Sequence, residues 1–134
     1  MIRIFQIFCV LGFLGALALF AVLALAPPGT DLGVFANNPD DKYGHFGAFF
    51  LLGPLAVAAF PRLPLGWTVL ALLMIGAGLE LGQTLTGREA SLEDLAANVL
   101  GVLAGMFPLG AYRLRIALIR RTEERKVKKA AKDS

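Results

Sequence analysis

Four stretches of the chain, 4–27, 43–61, 65–85 and 95–112, run almost without charge, and each is long enough to matter. A bilayer core of ~30 Å is crossed by roughly 17–25 residues of helix rising ~1.5 Å each. Hydrocarbon offers no hydrogen-bond partners, so backbone N–H and C=O groups must pair within the segment, and a helix does that. The expected fold class is therefore all-α: a polytopic membrane protein built as a four-transmembrane-helix bundle. Composition points the same way. Of the 134 residues, 57% are hydrophobic and 17% charged, where soluble domains run near 45–50% and 25%. The mean hydropathy is +0.68.

The first run carries Arg3 early and ends Ala24-Leu25-Ala26, in the form of a signal-peptidase site. It exceeds the roughly 7–15 apolar residues of a signal-peptide core, and Pro27 follows at once, so a retained helix over 4–26 is expected. Residues 27–40 are rich in turn formers: Pro27 and Pro28 stop the first helix, and Asn38-Pro39 is a helix-start signature. A second helix over 43–60 contains Pro54, which frees a backbone carbonyl and predicts a kink. The short hinge Pro61-Arg62-Leu63-Pro64 makes helices two and three antiparallel neighbours. Helix three covers 65–85, with Trp67 near its start as an interfacial anchor. After a loop at 86–90, Ser91 is the N-cap of a fourth helix over 92–112, with Asp94 in capping-box position. Ala97, Gly101 and Gly105 on helix four, and Gly78 and Gly82 on helix three, form small-residue stripes of the kind that let membrane helices approach closely. The domain so defined is 1–112, followed by a basic tail at 113–134. Leu114, Ile116, Leu118 and Ile119 allow helix four to continue into that tail.

Positive charge marks the cytoplasmic side of a membrane protein. With both termini inside, eleven of the 13 Lys and Arg residues are cytoplasmic: Arg3, Arg62 and the nine of the tail. Lys42 and Arg88 fall outside, and Asp31, Asp40, Asp41, Glu89, Glu93 and Asp94 sort to that outer face. The inverted orientation would export almost all the positive charge. The tail suits anionic lipid, at ~1 kcal/mol per base near the surface. Nucleic acid is not expected as a partner, because topology already accounts for the charge.

This orientation gathers polar residues at one depth. Asp41, Lys42 and His45 enter from helix two, Glu80 and Gln83 from helix three, and Asp94 and Asn98 from helix four, with Arg88 in the last loop. Asp41 and His45, Glu80 and Gln83, and Asp94 and Asn98 each share a helix face. Ordinary explanations cover part of the set. Asp41 complements the dipole at a helix start, Asp94 serves the cap at Ser91, and Lys42 and Arg88 are interfacial bases. Glu89 and Glu93 are solvated. Glu80 has no such explanation: a carboxyl in hydrocarbon is costly unless paired, which makes an intramembrane acid a functional candidate. Its partner would be Lys42, Arg88 or protonated His45. The expected binding set is Asp41, Lys42, His45, Glu80, Gln83, Arg88, Asp94 and Asn98, with His45, Glu80 and Asp94 the candidates for any catalysis. Neither a metal nor a cofactor is expected, since Cys9, packed among the helices, and a single histidine show no metal-type spacing.

Asp41-Lys42-x-x-His45-Phe46, then Glu80-x-x-Gln83, then Arg88 with Ser91, Asp94, Asn98 and Gly101 form one ordered pattern over roughly 40–105. In this pattern the chain resembles the VanZ-like family of small bacterial membrane proteins. The resemblance implies a cell-envelope protein of the bacterial plasma (inner) membrane. The family's name-giving member is linked to resistance to the glycopeptide antibiotic teicoplanin. The chain lacks the fused domains of some relatives and has a heavier basic tail, so fold and motif positions carry over more directly than resistance does.

Three function classes compete. A non-enzymatic envelope protein would bind membrane lipids of a particular kind, a lipid-linked cell-wall precursor or a glycolipid or glycopeptide-type ligand, in an outer-face pocket. Lys42 and Arg88 would contact anionic groups there, and Gln83 and Asn98 sugar or amide. A membrane-embedded hydrolase or transferase would use His45 as base, oriented by Asp41 or Asp94, with Glu80 as acid and Arg88 stabilising an oxyanion or phosphate. A metal version on His45, Glu80 and Asp94 is not identified by one histidine and two scattered acids. A transporter or proton relay would need self-association, given four helices without an internal repeat, and a homo-oligomer stays open as a partner. Binding is the preferred class, because no activated nucleophile stands out. Every shared-site reading requires His45, Glu80, Arg88 and Asp94 to surround one outward-opening cavity.

Overall fold

The computed structural model describes residues 2–27, 41–87 and 91–132. They form four helices, α1 (Ile2–Leu25), α2 (Asp41–Ala59), α3 (Leu65–Leu85) and α4 (Leu92–Lys132). The expected all-helical architecture is present. Three of the helices, α1, α3 and α4, are long and apolar enough to cross a membrane. The 19-residue α2 falls short on composition, because Lys42 and His45 occupy its first turns. Asn38-Pro39 and the loop at 28–40 lie outside the described residues, as do 88–90 with Arg88 and Glu89.

The chemistry at the helix ends explains where they stop. Residue 28 is Pro, so the Ala24 carbonyl near the end of α1 has no helical N–H four residues on. Gln83 Nε2 donates to that oxygen instead, at 3.1 Å. At the end of α3, Thr86 donates its N–H to the Gln83 carbonyl, and Gly87 follows at φ +81°, a left-handed position that suits glycine. Ser91 caps α4 as expected, its Oγ accepting from the N–H groups of Glu93 at 3.2 Å and Asp94 at 3.3 Å. The fourth helix does not end near residue 112. It continues through the basic segment to Lys132.

Contacts between ends fix the directions. Gln6 Nε2, early in α1, donates to the Ala59 carbonyl at the end of α2, at 3.4 Å. The ends of α1 and α3 meet at Gln83 and Ala24, and the end of α3 meets the start of α4 at Glu80 and Ser91. Successive helices are therefore antiparallel, which brings the starts of α2 and α4 and the ends of α1 and α3 to one end of the bundle. Phe49, Leu52, Leu72, Val102 and Met106 fill the core between them. Phe5, Phe8, Leu81 and Phe107 are exposed on the outside, and apolar side chains of this size suit hydrocarbon better than water.

The closest approach is between α2 and α4. A Cβ at Gly101 would collide with the Phe46 carbonyl oxygen, and one at Gly105 with the Phe50 carbonyl oxygen. Backbone therefore lies on backbone, as small-residue stripes permit. Pro54 adds a reason for the register. It lacks the N–H that would bond the Phe50 carbonyl, and the oxygen it leaves is the one lying against Gly105. Helix α2 continues through Pro54 to Ala59. On α3 the stripe is uneven, since Gly82 abuts Leu25 while Gly78 faces open space.

Candidate functional site

The polar site sits at the bundle end where α2 and α4 begin and α3 finishes. Glu80, one turn and a half before the end of α3, is 5% exposed, and His45, Gln83 and Asn98 are each 1% exposed. Groups so deeply buried must be satisfied within the protein. Glu80 Oε2 accepts from the Ser91 N–H at 3.3 Å, and Oε1 accepts from Asn98 Nδ2 at 3.4 Å. Ser91 N–H is the donor that a capping-box acid would take. Glu80 takes it from the neighbouring helix, which ties the end of α3 to the start of α4.

His45 Nδ1 lies 3.0 Å from Asn98 Oδ1 and 3.5 Å from Glu80 Oε1. With the proton on Nδ1, the ring donates to Asn98, and Asn98 donates onward to Glu80. One amide thus links the imidazole to the carboxylate. Hydrogen bonds to a charged group contribute roughly 1.5–3 kcal/mol each, so this network ties three helices together at one depth. The Phe20 ring of α1 packs edge-on against the imidazole, centroids 5.3 Å apart at 84°. Phe20 also meets Phe49 at 5.6 Å.

The remaining residues of the sequence-based set divide. Asp94 is half-buried, and its carboxylate lies with a ring nitrogen of His45 and a carboxylate oxygen of Glu80 in a group whose atoms are all within 4.8 Å of one another. These are the residues that can hold a metal ion. Gln83 is close in sequence to Glu80, but its side chain turns to the end of α1, where it binds the Ala24 carbonyl. Lys42 forms an ion pair with Glu93 at 3.2 Å, both side chains well exposed, linking the first turns of α2 and α4. Arg88 and the side chain of Asp41 lie outside the described residues. Of the four residues required to share one cavity, the structure brings His45, Glu80 and Asp94 together.

A cleft opens beside this cluster, on the side of α1. It has a volume of about 250 Å³ and lies between Leu19, Phe20 and Leu23 of α1 and His45, Ala48 and Leu51 of α2. Apart from His45 its walls are apolar. Two participants were missed by sequence reasoning. Phe20 gave no signal, because α1 reads as uniformly apolar. The Ala24 carbonyl did give one, in the proline four residues later.

This arrangement can hold an imidazole in one tautomer, place two carboxyl groups near it, and present the ring to an apolar cleft. Comparison with known proteins finds no matching family model, no matching curated protein and no matching solved structure.

Proposed function

We propose that the chain is a four-span, VanZ-like protein of the bacterial plasma membrane with both termini cytoplasmic. In this reading the polar end of the bundle faces outward and binds the headgroup of a lipid-linked cell-wall precursor or glycolipid. Helix α2 serves as the fourth span, with His45 enclosed by Phe20 of α1, Glu80 of α3 and Asn98 of α4 rather than by lipid, and with Lys42 at its exposed end. The distribution of Lys and Arg supports the orientation, and the basic end of α4 then meets anionic lipid at the inner surface. A link to teicoplanin resistance rests on the family resemblance, and expression in a sensitive host tests it.

The observation that carries the binding reading is the double membership of His45. It belongs both to the buried polar cluster and to the wall of the apolar cleft. An amphiphile has the matching division, a chain for the cleft and a headgroup for the cluster. The test uses purified protein in detergent micelles and a lipid-linked disaccharide pyrophosphate, with retention read by native mass spectrometry. Wild type retains the lipid, and Ala48→Trp, which fills the cleft, lowers affinity about tenfold or more, equivalent to ~1.4 kcal/mol. Equal retention by both proteins would sink the binding reading.

A second reading is favoured by one specific contact. With the proton on Nδ1, where Asn98 Oδ1 accepts it, Nε2 is the basic nitrogen of His45, the tautomer a general base uses. A membrane-embedded hydrolase or transferase on a lipid-anchored substrate would then use His45 and Glu80 as base and acid. Such an enzyme turns over substrate when purified and loses that turnover in both His45→Ala and Glu80→Ala. Turnover surviving in the two variants excludes it.

A further inference from the structure

We propose that His45, Glu80 and Asp94 form a site for one divalent transition cation of the Zn²⁺ or Mn²⁺ class. The site does not depend on the lipid-binding reading, and either can fail alone. Three different helices supply one ligand each: α2 gives an imidazole nitrogen, and α3 and α4 each give a carboxylate oxygen. These three atoms lie within 4.8 Å of one another, and His45 Nδ1 is already 3.5 Å from Glu80 Oε1. Ligands bound at ~2.0–2.2 Å stand roughly 3.0–3.4 Å apart around an ion. The set therefore needs a contraction of roughly 1.5 Å at most to close, and Asp94, at the start of α4, is its half-buried member.

Chemistry narrows the ion. One imidazole and two carboxylates are a mixed nitrogen and oxygen set, suited to Zn²⁺ or Mn²⁺. A set rich in thiolate would select softer ions, and an all-oxygen set Mg²⁺ or Ca²⁺. Buried ligands projecting inward from facing helices are a recurring way for bundles to hold metals. The surroundings supply the support such ligands need. Asn98 Nδ2 donates to Glu80 Oε1 at 3.4 Å and the Ser91 N–H to Oε2 at 3.3 Å, while a metal on His45 Nδ1 takes the place of the proton that this nitrogen otherwise shares with Asn98 Oδ1. Partners of this kind fix ligand orientation, and their loss weakens metal sites. The Phe20 ring against His45 limits its rotation.

The experiment uses full-length protein in detergent micelles, stripped with chelator and then titrated with Zn²⁺ or Mn²⁺. Bound metal is counted by an elemental assay after gel filtration, and Co²⁺ serves as a spectroscopic probe of the ligand field. The expected result is one equivalent per chain, a Co²⁺ visible band, and a melting temperature raised by metal. Glu80→Gln and Asp94→Asn lower affinity at least tenfold and abolish the band. Glu93→Gln removes the exposed acid beside Asp94 and leaves binding as it was. Asp94→Asn guards against misfolding as the cause, because its metal-free melting temperature stays near wild type while the rise with metal disappears. Binding well below one equivalent in the wild type overturns the proposal, as does undiminished affinity in Asp94→Asn. Ala48→Trp separates the two readings, since it blocks the cleft and keeps the metal.

Discussion

Against α4, helix α2 lays backbone on backbone, with Gly101 and Gly105 set against the carbonyls of Phe46 and Phe50. Against α1 it meets mainly side chains: Phe20 on Phe49 and, one residue past its end, Phe13 on Phe60 at 5.7 Å. The first contact leaves no room for a methyl group, and the second leaves a cleft of about 250 Å³. One helix thus has a fixed face and an accommodating face. Glycine permits close approach and holds register, while rings act as spacers and leave gaps that another molecule can fill. His45 stands where the two faces meet.

The sharpest way to break this contrast is Gly105→Leu. The added side chain must displace the Phe50 backbone, so a loss of about 3 kcal/mol or more is expected, read as a shift in the SDS-unfolding midpoint. If the variant unfolds within 1 kcal/mol of wild type (~1 being ordinary for a point change), the tight face is not what holds α2. Asn98→Leu probes the junction of the two faces. It removes the acceptor for His45 Nδ1 and a donor to Glu80, and should cost about 2 kcal/mol. A double-mutant cycle with His45→Ala should show coupling between the two residues, and additive effects would argue that the network is incidental. Lys42→Ala should change stability by less than ~1 kcal/mol, because its ion pair with Glu93 is exposed. A larger loss there would mean that the surface tie, rather than the buried network, aligns α2 with α4.

The sequence made much of this legible, for identifiable reasons. Helix existence followed from long uncharged runs, and α3 begins and ends at the expected residues, 65 and 85, because prolines precede it and a glycine turn follows. The cap at Ser91 was readable from side-chain chemistry. Other features depend on which neighbour arrives. Asp94 sat in capping-box position by spacing, yet the Ser91 N–H goes to Glu80, a residue eleven positions away. Gln83 and Glu80 share a face by spacing, but one reaches α1 and the other α4. Three-residue spacing fixes a face only to within a fraction of a turn, and that fraction decides the partner. The length of α4 was harder to judge. The basic run at 113–132 looked like a change of region, whereas charge alone does not end a helix that lacks a breaker.

That uninterrupted helix has a mechanical meaning. At ~1.5 Å per residue, the 41 residues of α4 extend about 60 Å, twice the ~30 Å depth of hydrocarbon. Asp94 and Asn98 stand near one end and Lys128 and Lys129 near the other, with Pro108 as its single proline. Pro108 withholds one backbone hydrogen bond between the two ends, so the bend that such a helix allows falls there. One continuous helix therefore carries the polar contact at Asn98 and, about 45 Å along its axis, the basic side chains around Lys128.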